Sequence, residues 1–235
     1  MVSSSAEPAD GGYATAAAMT ICMAISVTAA ALTSLAVADL KSARGDLARL
    51  EAERRIAGAE HAAALALMKT DKPVRLAWTL VVDDGAYRVL AEPEAAKLGY
   101  AAASALTADQ LVKLGASDPA QLRALMTMAA TASSPPTWVG DLDPGSVWRR
   151  CASSLISRFG TARTPALTAP TPPGERGLSW RLGEVWRVEV SSPDGWREDR
   201  IMRFTGDPLR PAAILDRRFY RHTGREPSCA TAFAA

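Results

Sequence analysis

Asparagine is absent from the 235 residues, histidine occurs only as His61 and His222, and lysine occurs five times among 27 basic residues. The missing asparagine and the preference for arginine are biases of genome composition and carry no function. Two histidines exclude a histidine-rich metal site. The three cysteines, Cys22, Cys151 and Cys229, are far apart, so no CxxC redox or zinc pattern exists. The 27 basic and 25 acidic residues leave a net charge of +2, which argues against the strongly basic face of a nucleic-acid binder. Also lacking are the G-x-S-x-G elbow, the Walker lysine loop, G-x-G-x-x-G and H-E-x-x-H. His61 falls inside a helical pattern and His222 in an arginine-rich tail, and local spacing gives neither a Ser, Cys or carboxylate partner. No catalytic residue, and so no enzyme, is expected.

Two candidate features have plainer readings beside them. Asp141 and Asp143 alternate as calcium ligands can, but a loop aspartate pair is more often turn chemistry. Cys151 and Cys229 can form a disulfide if the C-terminal part lies in an oxidising compartment, and two unpaired small residues is the alternative. Cys22 lies in an apolar run, where a buried, inert thiol is expected.

What the sequence does have is a long uncharged run. No charge occurs between Asp10 and Asp39, and Tyr13 to Ala38 gives 26 uncharged positions, where a membrane span needs about 20. The run is rich in alanine and threonine, so its insertion is only modestly favourable. The helical pattern continues past Asp39. No proline occurs from Gly12 to Lys72, only Gly45 and Gly58 interrupt, and Leu40, Ala43, Leu47, Leu50, Ala57, Ala64, Leu65 and Met68 recur at helical spacing. Residues 13–70 as one helix would extend about 87 Å. A span over 13–38 thus leads directly into a charged amphipathic half, with one-turn pairs such as Arg49–Glu53 and Glu51–Arg55.

Other readings of this segment stay open. Ala36-Val37-Ala38 has the small-x-small form of a secretory cleavage site, although Glu7 and Asp10 precede the run with no lysine or arginine. An ordinary single-span anchor is the other. The first basic residue, Lys41, follows the run, so the positive-inside rule taken alone would place the C-terminal part inside.

The junction Asp10-Gly11-Gly12-Tyr13, directly before the apolar run, resembles the class III leader of type IV prepilins and type II secretion pseudopilins. The resemblance implies cleavage after Gly12, so that residues 1–12 are a leader and Tyr13 the mature N-terminus. Most pilins carry glutamate as the fifth mature residue; here it is Ala17. One type usually lacks it, the K-type minor pseudopilin (general secretion pathway protein K family). The stretch Arg54 to Met68, RRIAGAEHAAALALM, resembles that family's arginine-then-alanine, acid-containing helix end. Trp186-Arg187-Val188-Glu189-Val190 and Leu209 to Arg218 resemble its last strands, and Asp143 to Trp148 with Leu155 to Gly160 the end of its helical insert. Where the family has leucine-asparagine-threonine-alanine-proline, this chain has Val89-Leu90-Ala91-Glu92-Pro93, and the family's aspartate-tryptophan-arginine-aspartate element has no counterpart around Ala129 to Ser134.

The resemblance implies a type IV pilin-like α+β fold: the long helix 13–70, then a periplasmic domain 71–235 of small antiparallel sheet with a helical insert at about 93–160. It implies a methylated, single-pass inner-membrane subunit at the tip of the type II secretion pseudopilus, taking part in protein transport. Its partners would be other minor pseudopilins, the inner-membrane platform and prepilin peptidase, with no nucleic acid. Some members bind calcium, but no matched residues carry that over, and no cofactor is expected. A type IV pilus minor pilin, or a membrane-anchored or secreted periplasmic enzyme or binding protein, are the alternatives.

Within the domain, Val74 to Val82 and Ala86 to Leu90 read as a hairpin about Asp83-Asp84-Gly85. Thr107-Ala108-Asp109-Gln110 is a capping box for a helix closed by Gly115, and Asp118-Pro119 opens another that ends by Ser133. Trp148 to Ile156 reads as a third helix and Pro165 to Gly177 as a loop. Ser179 to Ser191 reads as a strand in which Trp186, Val188 and Val190 form one buried face and Arg187 and Glu189 the other, solvated one. Arg200 to Thr205 and Ala212 to Tyr220 follow as strands, and Arg217, Arg218, Arg221 and Arg225 read as part of a solvated mixed-charge face.

Overall fold

The structure, a computed structural model, describes residues 11–69, 74–82, 85–164, 182–207, 209–222 and 229. Helix α1 runs Gly11–Leu67 as one element. The chain divides into two units, residues 1–51 and 52–235.

In the first unit every described residue from Tyr13 to Glu51 is exposed within this chain. Cys22, expected to be buried, is exposed here as well and is the free cysteine among the described residues. The helix is sustained locally, by alanine's high propensity.

The second unit is α+β. Strands β1 (Leu76–Val82), β2 (Gly85–Pro93), β3 (Val185–Ser191), β4 (Trp196–Phe204) and β5 (Ala212–Arg221) form one antiparallel sheet in the order β1-β2-β3-β4-β5. Val82 pairs with Gly85, as the hairpin reading requires, while Asp83 and Asp84 lie outside the described residues. β3 begins six residues later than expected, at Val185. The proline-rich stretch Pro165 to Gly177 is also outside the described residues.

The helical insert occupies the chain between β2 and β3. It holds α2 (Tyr100–Ala103), α3 (Ala108–Lys113), α4 (Pro119–Thr131) and α5 (Ser146–Leu155), with 3-10 turns at Glu94–Ala96 and Val139–Leu142. Its helix starts follow from side-chain capping. Thr107 Oγ1 accepts from Gln110 N at 3.2 Å while Gln110 Oε1 accepts from Thr107 N at 2.9 Å, a reciprocal box. Asp118 Oδ1 accepts from Ala120 N and Gln121 N, both at 3.0 Å, with Pro119 at the first turn. After α3, Gly115 turns the chain at φ 89° with a Cβ position only 2.7 Å from Val147. The insert has its own core around Trp148, Leu111, Leu114, Leu122 and Met126, all essentially inaccessible to solvent.

The two ends of the insert meet at a neck. Leu98 N donates to Leu155 O at 2.8 Å, Ser157 N to Leu98 O at 2.9 Å and Ala162 N to Lys97 O at 3.0 Å. Gly160 is needed there: a Cβ would stand 2.4 Å from Lys97 O.

The last turns of α1 lie on one face of the sheet. Ile56, Ala59, Ala63 and Leu67 share a core with Val89, Trp186, Val188 and Phe204. Each fully buried large apolar side chain contributes roughly 1.5–3 kcal/mol. Residues 52–68 therefore belong to the folded unit, and the described core depends on them.

The other sheet face departs from the sequence reading. The alternation in β3 implied a solvated face at Arg187 and Glu189; instead Arg187 is 9% exposed and Glu189 is half-buried. The insert folds back over that face. Arg187 lies 5.6 Å from the Trp138 ring and Arg218 4.6 Å from the same ring, while Arg218 also pairs with Asp141. Arg217 bridges Glu53 and Glu198. Arg218 thus holds the insert to the sheet, while Arg217 and Arg221 are exposed as expected; Arg225 lies outside the described residues.

Candidate functional site

The uncharged part of α1 and its first turn form the leading candidate. Gly12 and Tyr13 lie in the first turns of the helix, and Tyr13 is 87% exposed. Residues 1–10 of the expected leader lie outside the described residues. Ala17 is an exposed helical residue, so no carboxylate stands at that position. The helix is long and apolar enough to cross a membrane by length and composition. Its hydroxyls fit that role. Thr20, Ser26, Thr28, Thr33 and Ser34 donate to the carbonyls of Ala16, Cys22, Ala24, Ala29 and Ala30 at 2.7–2.9 Å. Each of these five hydroxyls is satisfied by its own helix, which lowers the cost of placing it in an apolar surrounding.

A second arrangement is one that the sequence reading did not identify. An ion-pair chain joins α1 to β4 and β5. Glu60 Oε2 meets Arg200 Nη2 at 2.6 Å, Arg200 Nε meets Glu198 Oε1 at 2.6 Å, Arg217 Nε meets Glu198 Oε1 at 3.4 Å, and Arg217 Nη2 meets Glu53 Oε2 at 3.5 Å. Glu60 and Glu198 are 2% and 0% exposed. Three carboxylates thus share two guanidiniums. Burial pushes the Glu60 carboxyl up to about 8; Arg200 opposes the rise and Glu198 adds to it.

The layer between sheet and insert is also charged. Lys97 Nζ is 3.0 Å from Glu92 Oε2, 2.5 Å from Glu94 Oε1 and 2.7 Å from Ser153 O, and Arg75 Nε is 2.8 Å from Glu92 Oε1. Burial alone would raise Glu92, but Lys97, Arg187 and Arg75 outweigh it and hold the carboxyl below its ordinary range. Arg187 Nη2 reaches Asp199 Oδ2 at 3.0 Å, and Arg197 Nη1 reaches Glu189 Oε1 at 3.0 Å. Buried pairs of this kind add little net stability against an apolar alternative, yet breaking one is costly. Lys97 links the start of the insert to β2 and to α5, while Arg187–Asp199 and Arg197–Glu189 join β3 to β4.

The aspartates that suggested calcium do not fit it. Asp143 accepts from Ser117 N at 2.9 Å, Ser117 Oγ at 2.5 Å and Gly145 N at 2.7 Å. Those donors occupy both of its oxygens and aim protons where a cation would need lone pairs. Burial would raise this carboxyl, and the hydrogen bonds from Ser117 and Gly145 lower it instead. Asp141 is engaged by Arg218. Among the described residues no cluster of three or more His, Cys, Asp or Glu side chains could hold a metal. His61 is exposed on α1 and His222 is half-buried after β5, so the two histidines lie on different elements.

Cys151 of α5 and Cys229 are joined by a disulfide, with Cα atoms 5.3 Å apart. The bond ties the insert to the segment that follows β5. It closes a separation of 78 residues, for which loop entropy gives about 4 kcal/mol and common experience about 2–4. Reduction with dithiothreitol is expected to lower the free energy of urea unfolding by about that amount. Tryptophan fluorescence of the protein with and without reductant measures it; equal midpoints would show that the cross-link constrains nothing.

Compared with protein-family profiles, curated proteins and solved structures, the chain matches none.

Proposed function

We propose that this chain is a minor pseudopilin of the K type, a structural subunit at the tip of a type II secretion pseudopilus that takes part in moving folded proteins across the outer membrane. One observation carries the reading. A single helix begins as an exposed, uncharged, internally satisfied segment and ends as a core element of an antiparallel α+β unit. A membrane-spanning anchor alone does not require the last four turns of its helix to complete a domain core; a subunit that is drawn out of a bilayer and packed by its helix does.

In this reading the residues act by assembly and carry no catalytic step. The uncharged segment 13–38 rests first in the inner membrane and later among neighbouring helices, where alanine permits close approach. Ala17 in place of an acid suits the uppermost subunit, which has no neighbour above to meet. The disulfide agrees with a periplasmic location for the second unit. The platform, the other minor pseudopilins and the peptidase are its partners.

The mature N-terminus tests the reading directly. Mass spectrometry of protein extracted from membranes of the native host is expected to give Tyr13 as the first residue, carrying one added methyl group. A chain that starts at Asp39 would overturn the proposal and support secretion by a cleaved signal.

A further inference from the structure

A cavity of about 310 Å³ lies within the second unit, walled by Ala52 and Arg55 of α1, Val82 and Tyr87 of the first hairpin, and Pro193 and Asp194 of the turn between β3 and β4. Its volume falls at the low end for ligand cavities. The turn is held from two sides. Ser192 Oγ accepts from Trp196 N at 3.0 Å and donates to Asp194 Oδ1, and His222 N donates to Gly195 O at 2.8 Å. Asp194 Oδ2 faces Arg55 Nη2 at 3.9 Å. That separation is longer than a hydrogen bond, and both side chains are about half exposed, so the pair adds little by itself. Tyr87 is the buried polar group of the wall, 4% exposed. Room for its ring comes from Gly85, where a Cβ would stand 2.7 Å from Cε2 and 3.0 Å from the hydroxyl oxygen. Among the described residues that hydroxyl has no hydrogen-bond partner. A polar group at a buried wall costs free energy until it gains one.

We propose that this cavity binds a free α-amino acid with an apolar side chain. The ligand carboxylate meets the Arg55 guanidinium and the Tyr87 hydroxyl, its ammonium meets Asp194 Oδ2, and its side chain lies along Ala52, Val82 and Pro193. The charges select the class. One cation and one anion stand side by side on the wall. A ligand with only a carboxylate would set it beside Asp194, and one with only an amine would set it beside Arg55. Such like-charge neighbours count against both. In an α-amino acid a single carbon separates the two charges, a spacing that suits groups this close. The rest of the wall selects the side chain, because Ala52, Val82 and Pro193 present no polar side-chain atom and burial of an apolar group there is favourable. The volume limits the ligand to about one residue. A phosphoethanolamine head group is also a zwitterion, but it spreads its charges over a longer chain and brings no apolar side chain. The assignment does not depend on the secretion role.

Calorimetric titration of the full chain in an uncharged maltoside detergent tests this with L-leucine as the probe. L-leucine is expected to bind. Affinity should fall by roughly tenfold or more for isocaproate, which lacks the ammonium, for isoamylamine, which lacks the carboxylate, and for glycine, which lacks the side chain. Arg55→Gln, Asp194→Asn and Tyr87→Phe should each weaken L-leucine by a similar factor. Tyr87→Phe removes only the hydroxyl, so its loss reports a hydrogen bond rather than packing. Asp194→Asn should in addition bring isocaproate level with L-leucine, a change that general loosening would not give. Three results would overturn the inference: no binding of L-leucine by titration or by saturation-transfer NMR, parental affinity in Asp194→Asn and Tyr87→Phe, or equal binding of isocaproate or phosphoethanolamine by the parent. Equal isocaproate would assign a plain anion site, and equal phosphoethanolamine a lipid head-group site. Circular dichroism confirms that each variant is folded.

Discussion

Ala24→Asp is expected to abolish secretion in the native host while leaving the second unit folded. Ala24 is an exposed residue near the middle of the uncharged run, and its carbonyl already accepts the Thr28 hydroxyl at 2.7 Å. A carboxylate there has no cation within reach: the described residues from Tyr13 to Ala38 carry none. In lipid or in a helix interface the cost is about 2.5–3.5 kcal/mol, borne both before and after assembly. The effect is large because an interface between helices repeats the penalty rather than relieving it. Ala24 belongs to the other unit, residues 1–51, so circular dichroism of residues 52–235 should be unchanged. His61→Ala, on an exposed helical position, is expected to secrete at close to the parental level. Normal secretion by Ala24→Asp at matched protein levels would sink the assembly role, and loss of secretion in His61→Ala would point to a site-based function instead.

The second large effect lies in the chain of ion pairs between α1 and the sheet. Glu60 has a folded-state value of about 8 against an ordinary 4.5. A raised carboxyl favours the folded state only while it is protonated. Its contribution is therefore complete below about pH 4.5 and lost as pH rises through about 8. With Glu60 only 2% exposed, the shift corresponds to roughly 3–5 kcal/mol across that window. Glu60→Gln keeps the shape and removes the titration. Relative to the parent, this variant should gain roughly 3–5 kcal/mol in urea unfolding between pH 5 and pH 9. Parallel pH profiles for the two proteins would refute the assignment. Arg200→Leu acts in the opposite sense. It removes the guanidinium shared by Glu60 and Glu198, and it is expected to cost about 3–5 kcal/mol at pH 7.

Much of the local structure was legible because its causes are local. The capping box at Thr107 to Gln110, the cap and proline at Asp118-Pro119, and the alternation of Trp186, Val188 and Val190 each act within a few residues. The long helix was legible because nothing from Gly12 to Lys72 can stop it. What lay hidden was long-range. Arg187 and Glu189 occupy positions that alternate correctly for a solvated face, and only the return of the insert buries them. Glu60 sits between Ala59 and Ala63 on the docked face, an acid inside an apolar set; that misplaced charge was the available signal, and Arg200 is its counterpart in β4. The same holds for Asp141 and Asp143, whose spacing suggested a cation until Arg218, Ser117 and Gly145 supplied their partners. For the helix segment 13–50, the structure adds hydroxyl bonds to the helix's own carbonyls, and these too are local.

The neck of the insert has a consequence for how the chain folds. Pro93 pairs with Trp186, so β2 and β3 must find each other across the entire insert. Joining such distant residues in an open chain is slow, because loop closure comes before the contacts that reward it. Once Leu98 is bonded to Leu155 and Ser157, most of that excursion is already closed, and the remaining loop begins at the neck. The insert therefore works as a kinetic shortcut. It can form as the chain emerges during synthesis, before β3 exists, and hold β2 ready for it. Variants that open the neck, such as Gly160→Ala, should slow refolding more than they speed unfolding.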